Sequence, residues 1–316
     1  MHYRLALMLT VPWLVAACAG GGGGGGGSSP TQAPFVRFRD IQYPGTVHIN
    51  GSSQEATYTV DTAGSAQKVT SVSAPTPFES GASYDASTSA TGLIKAVFTT
   101  ARGSAMTIDM PRGDEIKNYG LVSAGITANG QDVVLTPTDV RSLGWDYQSF
   151  GVWATGIGTS GGGAIGVVTV GSQTAGVSIP TTGTALYTGI SMGRYVGADG
   201  AAQFTLSNML ANTNFNTRTV SFITINTLTI VPGSGTLASQ LNLNMSGNLT
   251  YDPGVNKFSG TVTTAGGGPA DAAMVGTATG KFYGPLAEEM GGTFGLTNGR
   301  AAYLGAFGGI RGAHTP

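Results

Sequence analysis

Val275-Gly276-Thr277-Ala278-Thr279-Gly280-Lys281-Phe282-Tyr283-Gly284-Pro285-Leu286-Ala287-Glu288-Glu289-Met290-Gly291-Gly292-Thr293-Phe294-Gly295-Leu296 decides the fold. Its first run, Val275 to Phe282, combines Thr and aromatic residues in a strand-like pattern and stops at Gly284-Pro285, a break that no regular element crosses easily. A second short run, Thr293 to Leu296, follows, and a third, Tyr303 to Phe307, lies beyond Asn298-Gly299. Between the first two, Leu286 to Met290 has room for a turn or two of helix, with Pro285 suited to its first turn and Gly291 to its stop. Short strands punctuated by glycine predict an all-β chain.

Upstream the same grammar repeats. Strands are expected at Phe150 to Gly156, Ile165 to Val170, Ala185 to Thr188, Phe204 to Leu206, Val220 to Ile230, Leu237 to Tyr251 and Phe258 to Thr263, a spacing that suits a closed barrel or sandwich. Leu241, Leu243 and Met245 alternate with Asn242, Asn244 and Ser246, as on a strand with one dry face. The apolar parity in Val220 to Ile230 slips between Phe222 and Ile223 and again between Ile225 and Leu228, which predicts bulges. Before residue 143 the runs are shorter and less regular: Phe35 to Phe38, Thr57 to Val60, Lys68 to Val72, Leu93 to Thr99, Met106 to Met110 and Val133 to Leu135. Pro44-Gly45, Asn50-Gly51, Ala63-Gly64, Arg102-Gly103 and Asn129-Gly130 supply turn chemistry between them.

Composition agrees. Gly contributes 52 of 316 residues and charged residues only 10%, values that fit a turn-rich extracytoplasmic β protein. The formal net charge of -1 offers no basic footprint for nucleic acid. The single cysteine, Cys18, excludes a disulfide framework and a cysteine metal site.

Cys18 has a different context. Met1 to Arg4 form a short basic start, Leu5 to Val15 an apolar stretch too short to span a bilayer, and Val15-Ala16-Ala17-Cys18 a small-residue cleavage site. This fits a lipobox, so residues 1–17 are expected to be a lipoprotein signal peptide and Cys18 the acylated first residue, anchored in a lipid bilayer. Ala19 lacks the acidic side chain of the inner-membrane retention signal, which leaves the outer membrane as the destination. Gly20 to Gly27, Ser28, Ser29 and Pro30 cannot build a core; residues 18–34 read as a flexible tether with a reach of roughly 20 Å. Residues 35–142 then form a small β domain and 143–312 a second, more regular one.

Two motifs carry a resemblance. Gly280 to Phe294 with Gly305-Ala306-Phe307-Gly308-Gly309 reads FYGP-x-AEE-x-GG-x-F followed by G-x-FGG, and Pro180 to Gly189 reads P-x-x-G-x-A-x-Y-x-G. These resemble the β-barrel domain of transferrin-binding protein B and related surface lipoproteins, over roughly residues 145–312. The resemblance implies a small β handle domain followed by an eight-stranded antiparallel β-barrel closed on an apolar interior. It also implies a noncovalent binding role at the cell surface, without enzymatic activity or cofactor, toward a host or environmental protein or an iron- or haem-linked ligand. An outer-membrane translocon or receptor is a further implied partner. One departure bears on the ligand: the full-length family member has two lobes with long insertions, and this chain has room for one handle and one barrel, which argues against transferrin itself. A structural or assembly-related envelope lipoprotein without soluble ligand is the alternative reading; a transmembrane β-barrel and a glycan hydrolase are weaker ones.

The chemistry-bearing residues are sparse. Glu288 and Glu289 are adjacent carboxylates on a turn, expected to form its polar face rather than an acid-base pair. His2 leaves with the signal peptide, and His48 and His314 lie in different halves, so a Ser-His-Asp or multi-histidine site finds no support. His48 is expected to face solvent from a strand, the alternative being an axial haem ligand. Asp109, Asp114 and Glu115 with Arg112 and Lys117 read as a solvated mixed-charge loop. Trp145, Tyr147 and Trp153 are expected to pack the core, and Tyr195, in Gly193 to Gly197, to reach a partner from a loop.

Overall fold

The computed structural model describes residues 35, 37–41, 44–61, 68–90, 92–103, 105–140, 143–231, 236–266 and 272–312. Cys18, the expected signal peptide and tether, and His314 lie outside the described residues.

The chain is all β, in two sheets. The first has ten strands: β1 (Gly45–Asp61), β2 (Lys68–Val72), β3 (Thr76–Ser89), β4 (Gly92–Thr99), β5 (Ala105–Asp109), β6 (Glu115–Tyr119), β7 (Val122–Ile126), β8 (Val133–Pro137), β9 (Gln148–Ala154) and β10 (Gly163–Gly171). Their order is β5-β4-β3-β1-β10-β9-β8-β7-β6, with β2 added to the end of β1. β5 and β6 are thus opposite ends of the path although they are adjacent in sequence, joined only by a 3-10 turn at Met110–Arg112. That short link forces the sheet to curl toward itself. The edges do not pair with each other, so the curl stays open along one seam.

The second sheet comprises β11 (Thr184–Val196), β12 (Ala202–Asn214), β13 (Thr219–Val231), β14 (Thr236–Ser239), β15 (Met245–Thr250), β16 (Phe258–Thr264), β17 (Val275–Tyr283), β18 (Glu289–Thr297) and β19 (Ala302–Arg311). β11 pairs with both β12 and β19, and the circuit β11-β12-β13-β15-β16-β17-β18-β19 returns to β11 with every pairing antiparallel. This is the expected eight-stranded barrel; β14 is a short flap paired only with β13. Its interior is filled by side chains, as an eight-stranded barrel of this kind permits. Phe222, Phe258, Phe282, Phe294, Phe307 and Tyr303 are all fully buried in one cluster with Met209, Met245 and Met290. Ring centroids lie 4.7 Å apart for Phe222 and Phe307 and 4.9 Å for Phe294 and Tyr303. Outward positions on the same strands, such as Thr188, Asn208, Asn212, Ser221 and Asn248, are exposed. Apolar in and polar out is the reverse of a membrane channel.

Two further cores hold the rest. Ile190, Met192, Phe204, Leu304 and Ala306 on the barrel wall pack with Val122, Leu135, Trp145, Val152, Ile165 and Val167 of the first sheet. The opposite face of the first sheet, inside its curl, gathers Ile49, Phe98, Met106, Ile108, Val134, Trp153 and Val168. Gly166 serves this arrangement: a Cβ there would run into the Trp153 indole.

Several local expectations differ from the structure. The runs at 150–156 and 165–170, grouped with the barrel from sequence, are β9 and β10 of the first sheet, so the change of sheet falls after Gly171 rather than at 143. Period-2 patterning identifies a strand but not its neighbour. Asn50-Gly51 is no turn; it lies within the 17-residue β1, where the pairing to β3 shifts register and Gly51 lets β10 pass close by. Leu237 to Tyr251 is not one strand: Leu241–Leu243 form a 3-10 turn, which leaves Leu241 exposed and buries Leu243 and Met245. Leu286 to Met290 is not helical, because β18 begins at Glu289 and Ala287 takes a positive φ of 59°. Of the two predicted bulges, the second exists: Leu206 pairs Leu228 while Asn208 pairs Ile225, and Asn226 has φ 56°. At Phe222 and Ile223 the ladder runs unbroken, with Ile223 and Ile225 simply facing outward.

Candidate functional site

The curl of the first sheet encloses a cleft of about 710 Å³. Its floor is apolar, built from Ala96, Phe98, Ile108, Val134, Val168 and Val170. Tyr84 and Phe98 stand with ring centroids 5.0 Å apart on one wall. The rim is more polar and includes Ala90 at the β3–β4 turn and Ile116 and Asn118 on the edge strand β6, all exposed. Asn118 Oδ1 accepts a hydrogen bond from Ser123 Oγ at 2.6 Å. Thr138, just after β8, sends its backbone N–H to Leu121 O, while its Oγ1 is buried with no hydrogen-bond partner. Among the described residues, Asp139 is the one charged residue of the lining. Volume and lining fall in the range of small-molecule sites. Sequence reasoning missed this cleft, because β3, β6 and β7, which complete its walls, lack a distinctive apolar pattern and were not among the expected strands.

A second concentration of buried polar groups joins barrel to first sheet. The Glu289 carboxylate, 1% exposed, accepts the backbone N–H of Asp146 (2.5 Å), of Tyr147 (3.1 Å to each oxygen) and of Gln148 (3.0 Å). Burial pushes its pKa up to about 7, opposed by those three amide donors. Nearby, Tyr283 Oη and Thr169 Oγ1 lie 3.2 Å apart, and Thr174 Oγ1 donates to Gly284 O at 2.6 Å. Gln148 is fully buried beneath Gly291 and Gly308, where any Cβ would strike its amide. The glycines of the sequence motif therefore make room for a side chain that crosses from the other sheet.

The expected roles of individual residues sort as follows. Glu289 is not the polar face of a turn but a buried tie between sheets; Glu288 stays on the turn, accepting the Leu286 N–H. Asp114 is not solvated: it is 3% exposed and accepts the N–H groups of Asp109 and Ala128 at 2.8 and 2.9 Å and the Arg112 guanidinium at 2.7 Å. It thereby clamps the β5–β6 link onto the turn after β7. Glu115 and Lys117 pair with each other on the outer side. Tyr195 is not a loop residue either. It lies in β11, 8% exposed, edge-on to Tyr303. Its neighbour Arg194 sits 4.4 Å from the Phe204 ring, and burial lowers its pKa to about 10. Trp145, Tyr147 and Trp153 are buried as expected. His48 lies on β1 with an exposed ring, its Nδ1 2.5 Å from Asp85 Oδ1; the hydrogen bond to Asp85 raises its pKa. It does not line the cleft. Among the described residues no group of three or more His, Cys, Asp or Glu is placed to hold a metal ion.

Residues 179–311 match the family described as the C-lobe and N-lobe β barrels of Tf-binding protein B. Over those residues the barrel is similar to that family. The match opens near β11, not at residue 145, in keeping with β9 and β10 lying in the first sheet. Among solved structures, a point mutant of transferrin-binding protein B from Haemophilus parasuis Hp5 is similar at 11% identity, with 89% of this chain and 77% of that one covered and a TM-score of 0.46. The isotype 1 transferrin-binding protein B of serogroup B Neisseria meningitidis is similar at 13% identity, over 85% and 77% of the two chains, with a TM-score of 0.42. The haemoglobin receptor HpuA of Kingella denitrificans is similar at 13% identity over 91% and 92%, with a TM-score of 0.41. No curated protein matches the chain.

Proposed function

We propose that this protein is an outer-membrane surface lipoprotein that binds a host or environmental partner noncovalently, the partner being a protein or an iron- or haem-linked ligand. The observation that carries the reading is the match of residues 179–311 to a barrel family described by transferrin binding. The filled barrel interior adds to it, since a packed barrel contacts a partner by its outer wall and loops. Residues 1–17 act as the lipoprotein signal peptide, Cys18 carries the acyl anchor, residues 18–34 hold the folded part off the lipid, and the first sheet serves as the handle. Delivery to the outer leaflet uses an outer-membrane translocon. Catalysis is not part of this reading.

Two experiments test it. Radiolabelled palmitate should be incorporated into the full chain and lost in Cys18→Ser. Immobilised Pro34–Pro316, the unit that contains all three cores, should retain a specific, saturable partner from host serum or haem-containing medium, identified by mass spectrometry. Retention of nothing, under conditions where a transferrin-binding relative captures its ligand, would replace the binding role with a structural envelope role.

A further inference from the structure

We propose that Arg194 binds the carboxylate of a small, singly charged ligand with an apolar body, taken up where the barrel wall meets the first sheet. The site needs neither the lipid anchor nor a protein partner, so it stands or falls independently of the function proposed above.

Register places the side chain. Arg194 of β11 pairs with Leu304 of β19 on one side and Phe204 of β12 on the other, and Phe204 pairs with Ile230 of β13, so the four stand in one row across the outer wall of the barrel. Leu304, Phe204 and Ile230 are buried in the core shared with the first sheet, as is Tyr58 of β1. A guanidinium thus interrupts an apolar row, part-buried rather than sealed off. Its contact with the Phe204 ring, 4.4 Å from Cζ to the centroid, uses the π face and none of its five N–H donors.

Other arginines of the protein spend their donors. Arg39 and Arg112 meet Asp146 and Asp114, Arg102 donates to Thr76 Oγ1 and Arg311 to Leu286 O. Among the described residues, no carboxylate acts on Arg194; Tyr58 is the one titratable group that does, and burial raises its pKa, so its phenol is uncharged at neutral pH. Residues 62–67 and 232–235, which adjoin β1 and β13 in sequence and lie outside the described residues, carry no charged side chain. Covering a cation without an anion costs stability that Leu or Met would not cost here, so packing does not account for the residue.

Charge and walls select the ligand. Among the described residues, no second Lys or Arg acts on Arg194, so one negative charge is matched and the second charge of a phosphate monoester is left uncompensated. A carboxylate fits the guanidinium fork through two parallel N–H···O bonds. Ala202 and Leu206, partly buried on either side of Phe204 along β12, offer an apolar body a surface to cover.

The test titrates Pro34–Pro316, the unit holding all three cores, with octanoate by calorimetry at matched ionic strength, with octanol as the uncharged control. Saturable octanoate binding is expected, with octanol about tenfold weaker or more, the value of a charge-assisted hydrogen-bonded pair. Arg194→Met should weaken octanoate by a similar factor and, without ligand, melt at or above the original temperature. Arg194→Lys keeps the charge without the fork and should bind octanoate about three- to tenfold more weakly than the original. The proposal is overturned by absence of saturable octanoate binding, by octanol binding as tightly, by an Arg194→Met protein that keeps the original affinity, or by one that melts clearly lower, which would mean the guanidinium is already satisfied within the fold.

Discussion

Glu289 Oε2 accepts the backbone N–H of Gln148 at 3.0 Å across the junction of the two sheets, and the same carboxylate takes the N–H groups of Asp146 and Tyr147. One side chain of the barrel thus satisfies three consecutive amides where the chain passes from a loop into β9, whose first residue is Gln148.

Removing that acceptor strands three donors in a dry interior. Glu289→Ala should destabilise the protein by about 3 kcal/mol, the order of magnitude for breaking a buried charged network, as read from the urea unfolding midpoint. Glu289→Gln keeps an acceptor without the charge and should cost much less. A comparably small loss in Glu289→Ala would show that the amides find water instead.

The pH dependence of the same site has a definite sign. With its folded-state pKa raised to about 7, above the ordinary carboxylate value, Glu289 holds its proton more tightly folded than unfolded. Its contribution is therefore fully present below the unfolded pKa of about 4.3 and is lost as pH rises through 7. Unfolding midpoints at pH 5 and pH 8 should differ by more in the original protein than in Glu289→Gln. Equal pH dependence in the two would contradict the shift.

Asp114 should behave oppositely. Burial works to raise its pKa, but the bonds from Arg112 and from the amides of Asp109 and Ala128 outweigh burial and hold it below the usual carboxylate range. Its stabilisation is present above the unfolded pKa and fades as pH falls through the depressed folded value. Asp114→Ala should cost about 1–3 kcal/mol at neutral pH, with the gap to the original narrowing under strongly acidic conditions. Because Asp114 clamps the β5–β6 link, amide hydrogen exchange should accelerate there first.

Gly280 on β17 leaves space for the Phe258 ring on β16, and a Cβ would also come within 2.6 Å of Gly291 O on β18. Gly280→Ala should therefore destabilise by about 1–3 kcal/mol through overpacking, even though Ala suits a strand better than Gly. A thermal melt at or above the original midpoint would show that the barrel relaxes around the added methyl.

Much of the barrel was legible along the chain because its strands alternate. Val275 to Phe282 and Tyr303 to Phe307 coincide with parts of β17 and β19, and the parity slip at Ile225 to Leu228 marked a true bulge. The first sheet was less legible. β3 is Thr-Pro-Phe-Glu-Ser-Gly-Ala-Ser-Tyr-Asp-Ala-Ser-Thr-Ser, a 14-residue strand with little apolar alternation, and it forms through pairing with β1 and β4 rather than through its own pattern.

By itself the sequence determined the all-β class and the barrel motif, because strand period and turn glycines are properties of neighbouring residues. Tertiary structure alone decided the rest. β9 and β10 left the barrel for the first sheet, Glu289 became a buried acceptor for residues more than 140 positions away, and a cleft opened where β5 and β6 fail to meet. Each depends on which strands become neighbours, and pairing across such distances is set by the closure of the sheets and the packing of their faces, which no local pattern encodes.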